Sequence, residues 1–271
     1  MAAFVFRRWH PVALLAALVA PPAAGHSTAA LDPAAAIKVS QSVIGNTVGD
    51  YALYDRAGGR VMLSSYRGKP LLVSFVYTAC SEACPVTTKV LATAVASAQR
   101  ALGNDRFNVI TVGFNLPNDT PQAMADFARR QGVTLPNWEF LSPDPASVGQ
   151  LTRDFGFTYR ATVGGFDHVT QVTVVSADGR IQRQVYGDDF ELPLLVEPLK
   201  QLVTGSPARF EGFAQMIEKV RLVCTIYDPV SGQYRFNYTV FIEIFAGLSI
   251  FAAALLFLFR EWRRNRKARG A

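Results

Sequence analysis

Hydrophobic positions between residues 46 and 205 alternate between the spacing of buried strands and the spacing of helices. Residues 70–77 form a continuous apolar run of strand length, and residues 108–114 form a second one. Such runs are typical of strands that are covered on both faces of a sheet. Between the two runs, apolar residues recur at helical spacing, at Leu91, Val95, Ala98 and Leu102. The pattern therefore predicts a βαβ unit.

Two hairpins are predicted on either side of this unit. Residues 50–55 and 60–63 flank a turn that contains Gly58 and Gly59. Further along, residues 169–175 and 181–185 flank a turn of sequence Ser-Ala-Asp-Gly. Apolar runs separated by such turn residues indicate antiparallel strands.

Three further helices complete the predicted domain. One begins where Asp119 or Thr120 can cap a helix with Pro121 in its first turn. The others are expected at residues 148–155 and 193–202, where apolar residues recur at helical spacing. The order βαβ followed by ββα predicts an α/β, thioredoxin-like fold, in which a mixed sheet carries helices on both faces.

Residues 1–25 have the features of a secretory signal peptide. A pair of arginines precedes a short apolar stretch, and small residues follow it. The alternative is an uncleaved N-terminal anchor, although the apolar stretch is short for a bilayer span. Residues 26–45 are rich in Ala, Ser and Pro, and they are predicted to form a flexible lead into a domain that covers residues 46–205.

A transmembrane helix is predicted at residues 238–259. The stretch is apolar apart from Glu243, and at 1.5 Å per residue it is about as long as the hydrocarbon core is thick. Residues 260–271 form a basic tail, which is expected to stay in the cytoplasm. We therefore expect a single-pass inner-membrane protein with its domain in the periplasm. Residues 206–237 are predicted to be a juxtamembrane connector that includes a docked helix.

The net charge of +6 and the pI near 9.4 do not indicate a nucleic-acid partner. Six of the basic residues lie together in the short tail, where they serve as a topology signal. Half of the residues are hydrophobic, because the apolar segments at both ends add to the core of the domain.

Cys80 and Cys84 follow the first buried strand directly, at a strand-to-helix junction of the kind where α/β folds place their sites. Residues four apart on a helical turn can share a metal or form a disulfide. Pro85 disfavours helical backbone at Cys84, which predicts that the pair lies on an exposed loop before a helix. The helix N-terminus would then stabilise thiolates. A purely structural disulfide is the alternative, since the compartment is oxidising.

His168 is the histidine of the predicted domain. It follows a Gly-rich loop before a strand, on the side of a thioredoxin fold that faces the cysteine site. Two thiolates and one imidazole form a soft donor set that suits Cu(I), and the set can hold Cu(II) if another ligand joins. Structural zinc would require a fourth protein ligand. The sequence therefore predicts a copper site formed by Cys80, Cys84 and His168.

These motifs resemble the Sco/SenC family. The resemblance covers about residues 48–202, and it rests on Cys-x-x-x-Cys-Pro at residues 80–85, Asp-Thr-Pro at residues 119–121 and Asp-His at residues 167–168. It implies that the two cysteines and the histidine bind copper. It also implies that the client is the dinuclear copper centre of cytochrome c oxidase, which receives the copper or has its cysteines reduced. Periplasmic copper carriers or thiol reductants are further expected partners.

Three acidic or amide positions modify this resemblance. Glu82 stands between the cysteines, where the family often has an acidic residue, and Asp167 precedes the histidine, so both are expected to support the metal ligands. Asn115 stands where the family usually has an aspartate, which removes one outer carboxylate. The C-terminal anchor resembles that of a bacterial subset of the family.

Cys224 lies in the connector, in the sequence Cys-Thr-Ile-Tyr-Asp-Pro. It is interpreted as inert or structural, because no second ligand is near it in the sequence. The leading hypothesis for the whole chain is a metallochaperone without turnover. The runner-up is a thiol-disulfide oxidoreductase, and the third is a peroxiredoxin-like peroxidase, which would not need His168.

Overall fold

The computed structural model describes residues 30–81, 83–205, 225–228, 233–236 and 238–268. The strands of these residues are β1 Ala52–Tyr54, β2 Arg60–Met62, β3 Leu71–Val76, β4 Asn108–Gly113, β5 Trp138–Pro143, β6 Tyr159–Thr162, β7 Gly165–His168, β8 Gln171–Val175, β9 Ile181–Tyr186, β10 Thr225–Asp228 and β11 Gln233–Phe236. The helices are α1 Pro33–Ser42, α2 Ala83–Leu102, α3 Pro121–Gln131, α4 Val148–Asp154, α5 Leu192–Gly205 and α6 Thr239–Ala268, with a 3₁₀ turn at Leu63–Tyr66.

Seven of these strands form one mixed sheet in the order β2-β1-β5-β4-β3-β8-β9. β3, β4 and β5 run parallel, whereas β1 and β8 pair antiparallel on either side of them. The predicted hairpins are confirmed as β1-β2 and β8-β9. The βαβ unit β3-α2-β4 followed by β8-β9-α5 confirms the predicted thioredoxin-like arrangement.

Two apolar layers cover the faces of the sheet. On one face α2, α3 and α5 contribute buried side chains that include Leu91, Phe127 and Leu199. On the other face the 3₁₀ turn and α4 contribute Leu63 and Leu151. All six residues of β3 are buried, which explains why five of them are apolar, and the exception, Ser74, is hydrogen-bonded to Thr111.

The parallel strands β3 and β4 end at the same edge of the sheet, with Val76 opposite Gly113. The loop from β3 to α2 and the loop from β4 to α3 therefore lie side by side. Carboxyl ends of adjacent parallel strands are where open α/β sheets place their binding sites. This edge carries both predicted cysteines.

The predicted flexible lead is wrong for residues 33–42, which form α1. Asp32 caps this helix by accepting the N–H of Ala34 at 2.9 Å, and Pro33 occupies the first helical position, where its missing N–H costs nothing. Ser40 is fully buried, and its hydroxyl accepts a hydrogen bond of 2.9 Å from Tyr186 on β9. Docking onto the domain therefore orders a segment whose composition indicated a linker.

The C-terminal part contains the hairpin β10-β11 and the long helix α6. Residues 241–260 of α6 have a mean hydropathy of 2.4 over a length of 20 residues, and none of the other described residues covers them. By length and composition this stretch can cross a membrane, close to the predicted residues 238–259. The predicted signal peptide, most of the connector with its helix, and Cys224 lie outside the described residues.

Candidate metal and thiol site

Cys80 and Cys84 lie at the junction of β3 and α2 and face each other. The backbone N–H of Cys84 donates a hydrogen bond of 3.3 Å to the Sγ of Cys80. Neither cysteine forms a disulfide with another described residue. The contact places the two sulfurs on one turn of chain, where they can either close a disulfide or share a metal ion.

The backbone at Cys84 differs from the prediction of an exposed loop. Cys84 belongs to α2 and is 2% exposed, whereas Cys80 is half-buried on the preceding loop. Pro85 lies in the first turn of α2, where backbone N–H groups have no partner within the helix. A proline is tolerated there, so it did not exclude Cys84 from the helix.

The sequence predicts that the helix N-terminus stabilises both thiolates, but in the structure the two sulfurs differ. Burial raises the pKa of the Cys84 thiol well above its usual range, and the neighbouring Cys80 and Asp119 add to this effect. The first turn of the helix instead directs an N–H at Cys80. Burial thus favours the protonated form of the Cys84 thiol, which has to release its proton in order to bind a metal.

A buried carboxylate holds the cysteine loop in place. Asp119 Oδ1 accepts the backbone N–H of Thr78 at 2.8 Å and the Thr78 hydroxyl at 2.7 Å. Arg130 donates to the Thr78 carbonyl at 3.2 Å. All the hydrogen-bonding groups of Thr78, two residues before Cys80, are thus fixed by side chains that follow β4.

The role of Asp119 was not predicted, because Asp119 was interpreted only as the start of a helix. Thr120 is the residue that caps α3, by accepting the N–H of Ala123 at 3.2 Å. Asp119 is 0% exposed, and its second oxygen accepts the backbone N–H of Asn115 at 2.8 Å. Burial raises the pKa of Asp119, and the hydrogen bonds from Thr78 and Asn115 act in the opposite direction. The sequence contains one signal for this role. Because Thr120 can cap α3, the carboxylate of Asp119 directly before it is available for another contact.

Asn115 contributes to this arrangement through its backbone. Its N–H donates to Asp119, and its carbonyl accepts the N–H groups of Asn118 and Asp119 at 2.8 and 2.9 Å. The amide side chain at this position therefore leaves the Asp119 contacts intact, although the resembled family usually has a carboxylate there.

His168 ends β7, which pairs with β6 in a small hairpin outside the main sheet. The ring lies among aromatic side chains, with centroid distances of 5.4 Å to Phe157, 5.7 Å to Phe114 and 6.3 Å to Tyr77. Its Nδ1 is buried and has no hydrogen-bond partner among the described residues. An unpaired buried polar atom is costly, and it is a common sign of a missing ligand.

The surroundings of His168 favour the neutral imidazole. Burial lowers the pKa of His168, whereas a backbone hydrogen bond to Val169 and the charge of Asp167 act in the opposite direction. A neutral imidazole is the form that binds metals. The protonation state of the ring therefore suits a ligand.

Tyr77 connects the histidine hairpin to the cysteine loop. Its hydroxyl is hydrogen-bonded to Cys80 and to the backbone of Phe166, and its ring meets His168 edge-on. Within the described part of the chain, however, no three His, Cys, Asp or Glu side chains form a ready-made metal cluster. The structure thus brings the two cysteines together and places the histidine on the far side of Tyr77.

Asp167 and Glu82 are the two carboxylates that the sequence predicts to support the metal ligands. Asp167 Oδ2 accepts the backbone N–H of Leu31 at 3.0 Å, so it ties the segment before α1 to the histidine hairpin. Glu82 lies outside the described residues.

Known proteins share the family and the fold of this chain. Residues 40–204 match the family model described as SCO1/SenC. The SCO1 protein homolog of Bacillus subtilis is 27% identical over 94 residues, which cover 34% of this chain and 47% of that protein. The chain thus spans about half the length of this curated relative.

Two solved structures have the same fold. The copper-bound crystal structure of Arabidopsis thaliana ScoI is 20% identical with a TM-score of 0.50, and the match covers 56% of this chain and 95% of that one. BsSco, described as having a disulfide switch and as a member of the Sco family of cytochrome c oxidase assembly proteins, is 20% identical with a TM-score of 0.53. That match covers 58% of this chain and 94% of the BsSco chain.

Proposed function

The chain belongs to the SCO1/SenC family, and from this premise we propose that it is a copper chaperone for assembly of the dinuclear copper centre of cytochrome c oxidase. Cys80, Cys84 and His168 are the proposed copper ligands. The oxidase subunit that carries the copper centre is the proposed client. Support for the client comes from the family resemblance and from the description of BsSco.

One observation carries the proposal of copper binding. Two adjacent thiols lie at the end of β3, and Nδ1 of His168, which has no hydrogen-bond partner among the described residues, lies across Tyr77 from them. Thiolate and imidazole donors together suit Cu(I), and they can retain Cu(II) with an additional ligand. A site of three or fewer protein donors also leaves room for an incoming thiol, so copper can be passed on by ligand exchange.

Binding through all three donors requires the histidine hairpin to approach the cysteines. Among the described strands, β6 and β7 pair with each other and are not part of the seven-stranded sheet. Such a two-stranded element can shift at lower cost than a strand within the sheet. Closure of the hairpin onto copper would give Nδ1 of His168 a partner, which the described residues do not supply.

The second candidate function is a thiol-disulfide oxidoreductase. The close approach of the Cys84 N–H to the Cys80 sulfur favours it, because the two thiols are placed to form a disulfide. In this reaction Cys80 and Cys84 would give two electrons and two protons to a disulfide of the partner, and they would become a disulfide themselves. The client cysteines of the oxidase subunit are the substrate in this alternative.

Replacement of His168 by alanine separates the two functions. The mutant should lose the Cu(II)–thiolate visible band and bind Cu(II) at least about 100-fold more weakly, because even the loss of a supporting partner costs about 10- to 100-fold. In cells, oxidase activity should fall and should recover partly when copper is added, since mass action offsets a weak carrier. Absorption spectra of the purified protein and oxidase assays measure both effects.

Thr162→Ala, an exposed substitution on the same hairpin, serves as the control and should behave like the wild type. If the chain is instead a reductase, His168→Ala should retain oxidase assembly, and only the cysteine mutants should fail. Wild-type copper spectra together with wild-type oxidase activity in His168→Ala would refute the assignment of His168 as a ligand.

We further infer that α6 crosses the inner membrane with the domain in the periplasm and residue Ala271 in the cytoplasm. The apolar stretch at residues 241–260 and the basic residues that follow it support this orientation. A cytoplasm-active reporter fused after Ala271 should be active, whereas an export-dependent reporter at that position should be silent. The opposite pattern would contradict the orientation and also the oxidising surroundings assumed for the thiols.

A further inference from the structure

Tyr77 follows β3 directly and occupies the space between the cysteine loop and the histidine hairpin. Its carbonyl accepts the N–H of Cys80 at 3.0 Å, and its hydroxyl is hydrogen-bonded to the side chain of the same cysteine. On the other side the hydroxyl is hydrogen-bonded to the backbone of Phe166 in β7. One phenol oxygen thus touches both halves of the candidate site.

Gly165 makes this position of the hydroxyl possible. A Cβ at residue 165 would lie 2.7 Å from the Tyr77 Oη, and the backbone there has a φ of +134°, which favours glycine. The absence of a side chain at the start of β7 therefore lets the phenol oxygen approach the hairpin backbone. The contact therefore depends on two residues, Tyr77 after β3 and Gly165 in β7.

Packing fixes the ring of Tyr77 independently of its hydroxyl. The ring meets Phe166 at a centroid distance of 5.3 Å and Phe114 at 5.7 Å, both edge-on. These contacts would survive replacement of tyrosine by phenylalanine. The hydroxyl can therefore be removed without loss of the aromatic packing around His168.

We propose that Tyr77 is a positioning residue that donates a hydrogen bond to the copper-bound sulfur of Cys80 and so tunes the copper–thiolate bond. This inference rests on the proposed copper function. A copper-bound thiolate carries no proton, so the hydrogen between the two groups has to belong to Tyr77. The backbone N–H of Phe166 occupies an acceptor site of the phenol oxygen, which directs the hydroxyl hydrogen toward Cys80.

A hydrogen bond to the sulfur changes the properties of the bound copper. It withdraws electron density from the thiolate and weakens its donation to the metal, and hydrogen bonding around a cysteine sulfur is one of the factors that set copper potentials. Loss of the donor should therefore stabilise Cu(II) relative to Cu(I). The charge-transfer band should move to longer wavelength, and the reduction potential of the copper should fall.

The test compares Tyr77→Phe with Tyr159→Phe in the purified full-length protein. Tyr159 belongs to the same aromatic cluster and contacts Phe114 and Phe166, so the control removes a hydroxyl from the same surroundings. Tyr77→Phe should bind copper with wild-type stoichiometry, with a red-shifted band and a lower copper potential. Tyr159→Phe should match the wild type in all three measurements, and thermal unfolding should show that both variants fold.

A second measurement needs no copper. Alkylation of Cys80 at a single pH, followed by mass spectrometry, should proceed at a different rate in Tyr77→Phe and at the wild-type rate in Tyr159→Phe, because the Tyr77 hydroxyl is hydrogen-bonded to the Cys80 side chain. A wild-type protein that binds no copper would contradict the proposed function, while the alkylation rates would still test the contact between Tyr77 and Cys80. An unchanged rate, or an unchanged copper spectrum in a copper-loaded Tyr77→Phe, would overturn the inference about Tyr77.

Discussion

Alanine at Cys80 or at Cys84 is expected to reduce copper binding from one ion per chain to none that survives dialysis. Each substitution removes one of two thiolates, and a single thiolate with one imidazole holds Cu(I) far less tightly than the complete set. Copper content after reconstitution of the reduced protein, measured by atomic absorption, gives the stoichiometry. The same mutants should be unable to form the Cys80–Cys84 disulfide, so both candidate functions should be lost in cells.

Cys84 is buried against the core, so its replacement also needs a control for packing. Val95→Ala removes a fully buried side chain from the same helix and should cost about 1–3 kcal/mol of unfolding free energy, at least as much as Cys84→Ala. It should nevertheless bind one copper ion. Stoichiometric and tight copper in both cysteine mutants would rule out the chaperone function.

Asp119→Ala should weaken both the fold and the copper site. The Thr78 N–H, the Thr78 hydroxyl and the Asn115 N–H would lose their acceptor, and an unpaired buried donor costs about 1–3 kcal/mol. Since the surroundings can relax, we expect a total loss of about 3 kcal/mol in denaturant unfolding. Copper affinity should fall as well, because Thr78 fixes the loop that carries Cys80.

Asp126→Ala provides the control, because it removes a partly exposed carboxylate from α3, the helix that follows Asp119. Its unfolding free energy should stay within about 0.5 kcal/mol of the wild type. Asp119→Asn, which retains the shape and one acceptor oxygen, should be intermediate. Full stability in Asp119→Ala would show that the contacts to Thr78 contribute nothing, and wild-type copper affinity in a destabilised Asp119→Ala would show that the site does not depend on them.

Elements with strong periodicity could be predicted from the sequence. β3 and β4 are largely apolar because both faces of the sheet are covered, and α2 repeats its apolar residues because one side faces the core. Elements without an apolar run could not be predicted in this way. β5 mixes Glu139 and Ser142 with apolar residues, and its place in the sheet depends on pairing with β4 and β1.

The residue types of the candidate site could be predicted from the sequence, but the burial and the long-range contacts of these residues could not. The spacing of Cys80 and Cys84 located the thiols, but the burial of Cys84 follows from how α2 packs on the sheet. Long-range contacts also created the features that were missed. The carboxylate of Asp119 accepts a hydrogen bond from Thr78, which lies 41 positions earlier in the sequence. A contact over such a separation leaves no local sequence pattern.

Because α1 packs onto the domain, the folded unit begins earlier in the chain than the predicted residue 46. Gly156 approaches the backbone of Ser40 so closely that a Cβ would lie 2.7 Å from its Cα, and Gln184 donates to the Phe155 carbonyl beneath the same helix. A fragment that begins at residue 46 would expose this surface to water and leave the Tyr186 hydroxyl without Ser40. It would also release the Leu31 bond to Asp167, beside the copper-ligand candidate His168. A soluble fragment suited to biochemical work should therefore begin near residue 30, and truncation at residue 46 would change the hairpin that carries the histidine.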